Sequence, residues 1–134
     1  LHAVGRGPRL RPPRTAFGAG IDAFLAHLQV ERGLRPNTIA AYGRDLGRYR
    51  NFCAAAGVAD IRGVGQPLVE DFLVSLAVDS EQGSALSPTS AARTLAAVRG
   101  LHGFAVAEGW RTTDPTAQVA PPRARRSALA AAAG

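Results

Sequence analysis

The sequence predicts an all-α fold of four main helices, arranged as two crossed helix hairpins with a short fifth helix near the end of the chain. Apolar residues recur at helical spacing in four segments, and glycine, proline or capping residues bound each of them. No segment alternates apolar and polar residues in the manner of a half-buried strand. The length of 134 residues is sufficient for one domain with its own core.

Composition divides the chain into three parts. Glycine, proline and arginine dominate residues 1–20, and proline, arginine and alanine dominate residues 120–134. Neither stretch has an apolar period, so we expect a disordered basic arm and a basic tail. The folded domain is predicted at 21–119.

The first two helices are predicted at 21–31 and 37–57. Gly33 ends the first helix, and Asn37 is the expected N-cap of the second, long helix. The second helix has two faces, of which one is polar and the other is a predicted core stripe of Ile39, Tyr42, Leu46, Tyr49 and Cys53.

The last two long helices are predicted at 68–78 and 88–108. Pro67 fits the first turn of the third helix, and Ser87 is the expected N-cap of the fourth. Residues 116–119 are the candidate short fifth helix. The apolar stripe of the fourth helix contains Ala91, Leu95, Val98, His102, Ala105 and Val106.

Charge is distributed unevenly along the chain. The net charge is +6 and all sixteen basic residues are arginine, but seven of them lie in 1–20 and 115–134. The body at 21–114 therefore holds nine arginines against ten acidic residues. Within the body, 33–50 has four arginines and one acid, whereas 66–85 has four acids and no base. Nucleic-acid binding by the folded part must depend on this segregation and not on net charge.

Several classes of function lack support in the residues. Cys53 and His102 lie on core stripes, and no cysteine or histidine set has metal-ligand spacing. We find no glycine-rich phosphate loop, nucleophile elbow or paired carboxylates, so we expect no metal, cofactor, small-molecule substrate or catalysis. No uninterrupted apolar run is long enough for a membrane span, and we expect a cytoplasmic protein.

The second and fourth helices also present polar donors away from their core stripes. Arginine can contact phosphates or guanine edges, and a DNA major groove admits a helix. Ala97 and Gly100 are small residues that would allow close approach, and Phe104 is expected to face a partner or the fifth segment. From the residues alone, a solvated face is the simpler interpretation. The donors are Asn37, Thr38, Arg44, Arg48, Ser90 and Arg93.

Three stretches together resemble a known family. They read FLxxLxVERGLxxNTxxAYxRDL at 24–46, SxxRxLxAVRxL at 90–101, and Asp114-Pro115. In this order they are similar to the N-terminal core-binding domain of Xer-type tyrosine recombinases, in particular the XerD-like group. The similarity covers about residues 20–122.

This resemblance implies a SAM-like domain that forms half of a clamp around double-stranded DNA. The second and fourth helices would face the major groove of a recombination half-site, in DNA integration, recombination and chromosome dimer resolution. The first helix would contact partner recombinase subunits, and we assign Phe24, Leu28 and Phe104 to that interface. The implied DNA contacts are Asn37, Thr38, Arg44, Arg48, Ser90, Arg93 and Arg99.

The sequence also departs from the family pattern. Relatives usually place a further basic residue where this chain has Gly43 and Gly100. The family's chemistry requires a tyrosine nucleophile with arginines, a lysine and a His-x-x-Arg cluster, and this sequence has no lysine and no His-x-x-Arg. We therefore expect a non-enzymatic DNA-binding module whose tail is a truncated interdomain linker. The alternatives are a helical module that engages intact recombinase, and an inactive remnant.

Overall fold

The computed structural model describes residues 14–121. Within that range it contains four α-helices and a short 3-10 helix at Ile61–Gly63, and no strand. The all-α prediction is confirmed, whereas the predictions for residues 1–13 and 122–134 lie outside the described residues. The helices are α1 Phe17–Val30, α2 Pro36–Ala55, α3 Gln66–Ser75 and α4 Pro88–Ala107.

Helix α2 is the centre of the packing. It contacts α1, α3 and α4, and α1 also packs against α4. The ring of Tyr49 meets Phe17 edge-on at 5.7 Å and Phe72 at 4.9 Å between centroids. Of the stripe predicted for α2, Leu46, Tyr49 and Cys53 are buried, while Ile39 and Tyr42 are half-buried.

Helix α1 begins one turn earlier than predicted. Phe17 starts the helix and is 2% exposed, and its backbone N–H donates to the carbonyl of Ala59 at 3.2 Å. Next to it, the hydroxyl of Thr15 donates to the carboxylate of Asp60 at 2.8 Å. These contacts span more than 40 residues of sequence. The assignment of residues 17–20 to a disordered arm is therefore wrong.

Local capping signals explain most helix ends. The hydroxyl of Ser87 accepts the backbone N–H of Ser90 at 3.2 Å, as predicted for the N-cap of α4. Gly57 and Gly109 have φ of 85° and 77°, which suits glycine residues that follow helices. The predicted N-cap role of Asn37 is wrong, because α2 already begins at Pro36, whose ring presets helical φ.

Helix α4 is buried over a wider arc than its predicted stripe. Ala97 is fully buried, and a Cβ on Gly100 would lie 2.7 Å from Cζ of Phe24. The prediction that both face outward is wrong, because α1 and α2 both pack against α4. The exposed alanine and glycine residues of this helix are instead Ala92, Ala96, Gly103 and Ala107.

The segment after α4 returns over the fold without a fifth helix. Residues 115–118 form a turn, in which the carboxylate of Asp114 accepts the backbone N–H of Thr116 at 2.8 Å. Arg111 Nη1 donates to the carbonyls of Ile61 and Val64 at 2.9 and 2.8 Å. These hydrogen bonds tie the end of the described chain to the loop between α2 and α3.

Candidate nucleic-acid interface

The predicted DNA-contacting residues of α2 differ in their exposure. Asn37 and Arg44 are exposed, whereas Thr38 and Arg48 are half-buried. Arg48 Nη1 donates to the carbonyl of Ser84 at 2.8 Å, so its guanidinium lies under the loop that joins α3 to α4. Within this set, Asn37 and Arg44 are the donors most accessible to a ligand.

The predicted DNA-contacting residues of α4 also differ in their exposure and in their hydrogen bonds. Ser90 is half-buried beside the helix N-terminus, and Arg93 has 43% of its side chain exposed. Arg99 is half-buried, and its Nη2 donates to the carbonyl of Val119. All of these residues stay predicted DNA contacts, and Arg93 is the most exposed of the three.

An ion pair joins α2 to α4. Arg93 Nε donates to Asp45 Oδ2 at 2.8 Å, and Arg93 Nη2 donates to Oδ1 at 2.9 Å. The hydrogen bonds with Asp45 raise the pKa of the Arg93 guanidinium further. The sequence prediction did not include Asp45. Asp45 could have been noticed in the sequence because it is the single acidic residue in 33–50, a stretch that contains four arginines.

We give the name α2–α4 face to the donors that these two joined helices present outside the core, and define it by Asn37 and Arg44 of α2 and Ser90 and Arg93 of α4. The two helices carry five arginines against one acid, Asp45. Residues 66–86 carry four acids and no base, so the positive charge of α2 and α4 contrasts with a negative α3 segment. This separation favours an anionic ligand at α2 and α4.

A groove lies between α1 and α4, with a volume of about 490 Å³. All three residues predicted for the subunit interface, Phe24, Leu28 and Phe104, line it. The rings of Phe24 and Phe104 are 5.7 Å apart between centroids, and Trp110 packs edge-on against Phe104 at 5.4 Å. Phe24 and Leu28 belong to the core and are almost fully buried, whereas Phe104 is half-buried.

The titratable cluster inside the fold belongs to the core. The hydroxyl of Tyr49 and Nε2 of His102 are 2.8 Å apart, and both residues are fully buried. Burial, together with the nearby positive charge of Arg111, lowers the pKa of His102 from 6.5 to about 4. Burial also raises the pKa of the Cys53 thiol to about 12, so the thiol stays protonated and is a poor nucleophile.

Within residues 14–121, no group of histidine, cysteine and acidic side chains is arranged to hold a metal ion. No helix in the same range is both long and apolar enough to cross a membrane.

A comparison with protein-family models identifies the family to which this domain belongs. The model described as phage integrase, N-terminal SAM-like domain, matches residues 21–109. The chain belongs to this family. The match includes all four helices except the first turn of α1. Together with the relatives described next, it confirms the resemblance to Xer-type recombinases.

Curated proteins that are similar to the chain are named tyrosine recombinase XerD. The protein from Mycobacterium tuberculosis (strain CDC 1551 / Oshkosh) is 45% identical over 108 residues, which are 79% of this chain and 35% of the relative. Those from Corynebacterium glutamicum and Caulobacter vibrioides are 44% and 40% identical, over 74% and 81% of this chain and 33% of each relative. The chain thus spans about a third of the length of these curated relatives. No solved structure matches it.

Proposed function

We propose that this chain is the DNA-binding module of a XerD-like site-specific recombinase, and that its α2–α4 face holds the major groove of a recombination half-site. The proposal places the chain in DNA integration and recombination, including chromosome dimer resolution, in the cytoplasm. It assigns the positioning of DNA to the residues of the α2–α4 face. The relatives named tyrosine recombinase are about three times as long as the aligned region.

The observation that carries the proposal is the presence of exposed cationic and amide donors on two helices that an ion pair joins. A major groove about 12 Å wide admits a helix, and arginine can contact phosphates or grip guanine there. Residues 14–121 hold ten arginines and ten acids, so overall attraction to DNA is weak for this part of the chain. Affinity must come from the local excess of arginine on α2 and α4.

A salt titration of the full chain with duplex DNA tests the proposal. Each phosphate contact contributes about 0.9 to the slope of log affinity against log salt. Arg44→Ala should reduce the slope by about 0.9 because it removes an exposed guanidinium from the α2–α4 face. Arg62→Ala is the matched control, since it removes the same charge from an exposed arginine that pairs with Asp60 outside that face.

The tails provide the competing explanation. Glutamine replacement of Arg123, Arg125 and Arg126 removes much of the tail charge. If this replacement abolishes binding while Arg44→Ala leaves the slope unchanged, the tails bind DNA and the proposal for the α2–α4 face is wrong.

The groove between α1 and α4 favours a second candidate function, contact with another recombinase subunit. We propose that the groove receives an apolar segment of a partner subunit, because Phe24, Leu28 and Phe104 meet there. A Cβ on Gly103 would meet no atom within 4 Å, so Gly103→Leu should fill the groove without disturbing the core. Ala92→Leu is the control, since Ala92 is exposed on the same helix and does not line the groove.

Co-elution with the full-length Mycobacterium tuberculosis relative measures this contact. The unsubstituted chain and Ala92→Leu should co-elute with the recombinase, and Gly103→Leu should not. Equal co-elution of all three proteins, or of none, would contradict the role of the groove.

A further inference from the structure

The ion pair between Asp45 and Arg93 occupies one edge of the guanidinium and leaves another edge available. The bonds from Nε and Nη2 to the two carboxylate oxygens are 2.8 and 2.9 Å long and lie side by side. A guanidinium has five N–H donors in a planar fork. Nη1 and the second hydrogen of Nη2 therefore remain, and they have no partner among the residues that the structure describes.

The two ends of the pair differ in their environment. The Asp45 side chain is 8% exposed, whereas that of Arg93 is 43% exposed. The carboxylate is thus fixed inside the contact between α2 and α4, and the arginine extends from it towards solvent. The exposed residues Ala92 and Ala96 flank Arg93 on α4, and their small side chains allow another surface to approach the guanidinium closely.

We propose that Asp45 is a positioning residue that orients Arg93 so that the free edge of its guanidinium reads O6 and N7 of a guanine in the major groove. This inference rests on the proposed function. Two parallel N–H donors match the two guanine acceptors, and the carboxylate removes rotamer freedom that the side chain would otherwise lose on binding. Asp45 contributes specificity through Arg93, although its own negative charge opposes binding to phosphates.

Duplexes with a randomised central segment are the probe. Selection with the unsubstituted full chain should enrich a sequence that contains a guanine. Replacement of that guanine by 7-deazaguanine, which lacks the N7 acceptor, should weaken binding by roughly 5-fold to 150-fold. With Asp45→Asn, the penalty for 7-deazaguanine should fall to about 2-fold or less, because Arg93 is no longer held in one orientation.

Asp60→Asn is the matched control for charge. It also removes a carboxylate that pairs with an arginine, Arg62, at a position outside the α2–α4 face. Both variants lose one negative charge, so both should bind random DNA more tightly. Only Asp45→Asn should lose the discrimination against 7-deazaguanine.

Arg93→Lys supplies a second test that does not depend on the folding of Asp45→Asn. Lysine keeps the charge and can still meet Asp45, but it has no planar fork. This variant should retain binding to random DNA and show a smaller 7-deazaguanine penalty, because an ammonium can donate to N7 but does not hold two parallel donors in one plane. Circular dichroism of each variant checks that the helices are intact.

The outcomes separate the two proposals. If the unsubstituted chain enriches no sequence and binds no duplex, the proposed function fails and the role of Asp45 fails with it. If the chain selects a sequence but Asp45→Asn keeps the full 7-deazaguanine penalty, only the positioning role is overturned. If Arg93→Lys keeps the full penalty, the planar fork of Arg93 does not read the guanine, and the inference about Asp45 is overturned with it. A loss of binding with methylphosphonate substitution but not with 7-deazaguanine would show that the chain contacts phosphates and not guanine N7, and would overturn guanine reading.

Discussion

Acidification from pH 6.5 to about 4 should reduce the free energy of unfolding by on the order of 3 kcal/mol through His102 alone. The folded state holds the imidazole neutral because it is fully buried against Tyr49. The unfolded chain binds a proton on His102 below pH 6.5, and the folded chain does not bind it until about pH 4. Stability is therefore full above pH 6.5 and declines as the pH falls through this window.

Urea denaturation at several pH values measures this loss. His102→Gln should flatten the pH dependence between 6.5 and 4, because the amide does not titrate and can still hydrogen-bond to Tyr49. Hydrogen bonds from Arg62 hold the pKa of Asp60 at about 2. The stability that Asp60 contributes is therefore lost at a lower pH than this window. If the free energy of unfolding declines equally for His102→Gln and for the unsubstituted chain, the assignment of the loss to His102 is wrong.

Gly20→Ala should destabilise the fold by about 1–3 kcal/mol, through overpacking at the junction of α1 with the loop after α2. A Cβ on Gly20 would collide with Cδ1 of Ile61, and would lie 3.2 Å from the carbonyl oxygen of Arg14 and 3.3 Å from Cζ3 of Trp110. Ile61 is fully buried, so its side chain has little space to move. Thermal or urea denaturation at neutral pH measures the change.

Gly18→Ala is the matched control in the same helix. A Cβ there would meet no atom within 4 Å, and Gly18 is exposed. Alanine should therefore stabilise α1 by roughly 0.5–1 kcal/mol, since it reduces the entropy of the unfolded chain. Equal effects of the two substitutions would show that the Gly20 contact does not constrain the fold.

The sequence predicted the features that depend on neighbouring residues. The apolar period identified four helices, and Ser87, Gly57 and Gly109 correctly marked ends of α4 and α2 because caps act within one turn. It failed at the start of α1, where Phe17 is helical through contacts with distant residues. It also misplaced Ala97 and Gly100, because a single apolar stripe does not reveal that two helices pack against α4.

The roles of the arginines could be predicted only in part. Periodicity placed Arg44, Arg48 and Arg93 away from the core stripes, but it carried no information on their partners. Asp45 lies 48 residues from Arg93, and Val119 lies 20 residues from Arg99. Such pairs form only when the fold brings distant segments together. The sequence therefore suggested a cationic face, and the ion pair that organises it emerged from the structure.

Amide chemical shifts of the isotope-labelled full chain, titrated with duplex DNA, show whether the α2–α4 face binds DNA. We expect the largest changes at Asn37 and Arg44 of α2 and at Ser90 and Arg93 of α4, and little change along the acidic helix α3. The changes should weaken as salt is raised, since the contacts include phosphates. Shifts confined to residues 1–13 and 122–134, with α2 and α4 unchanged, would contradict DNA binding by the α2–α4 face.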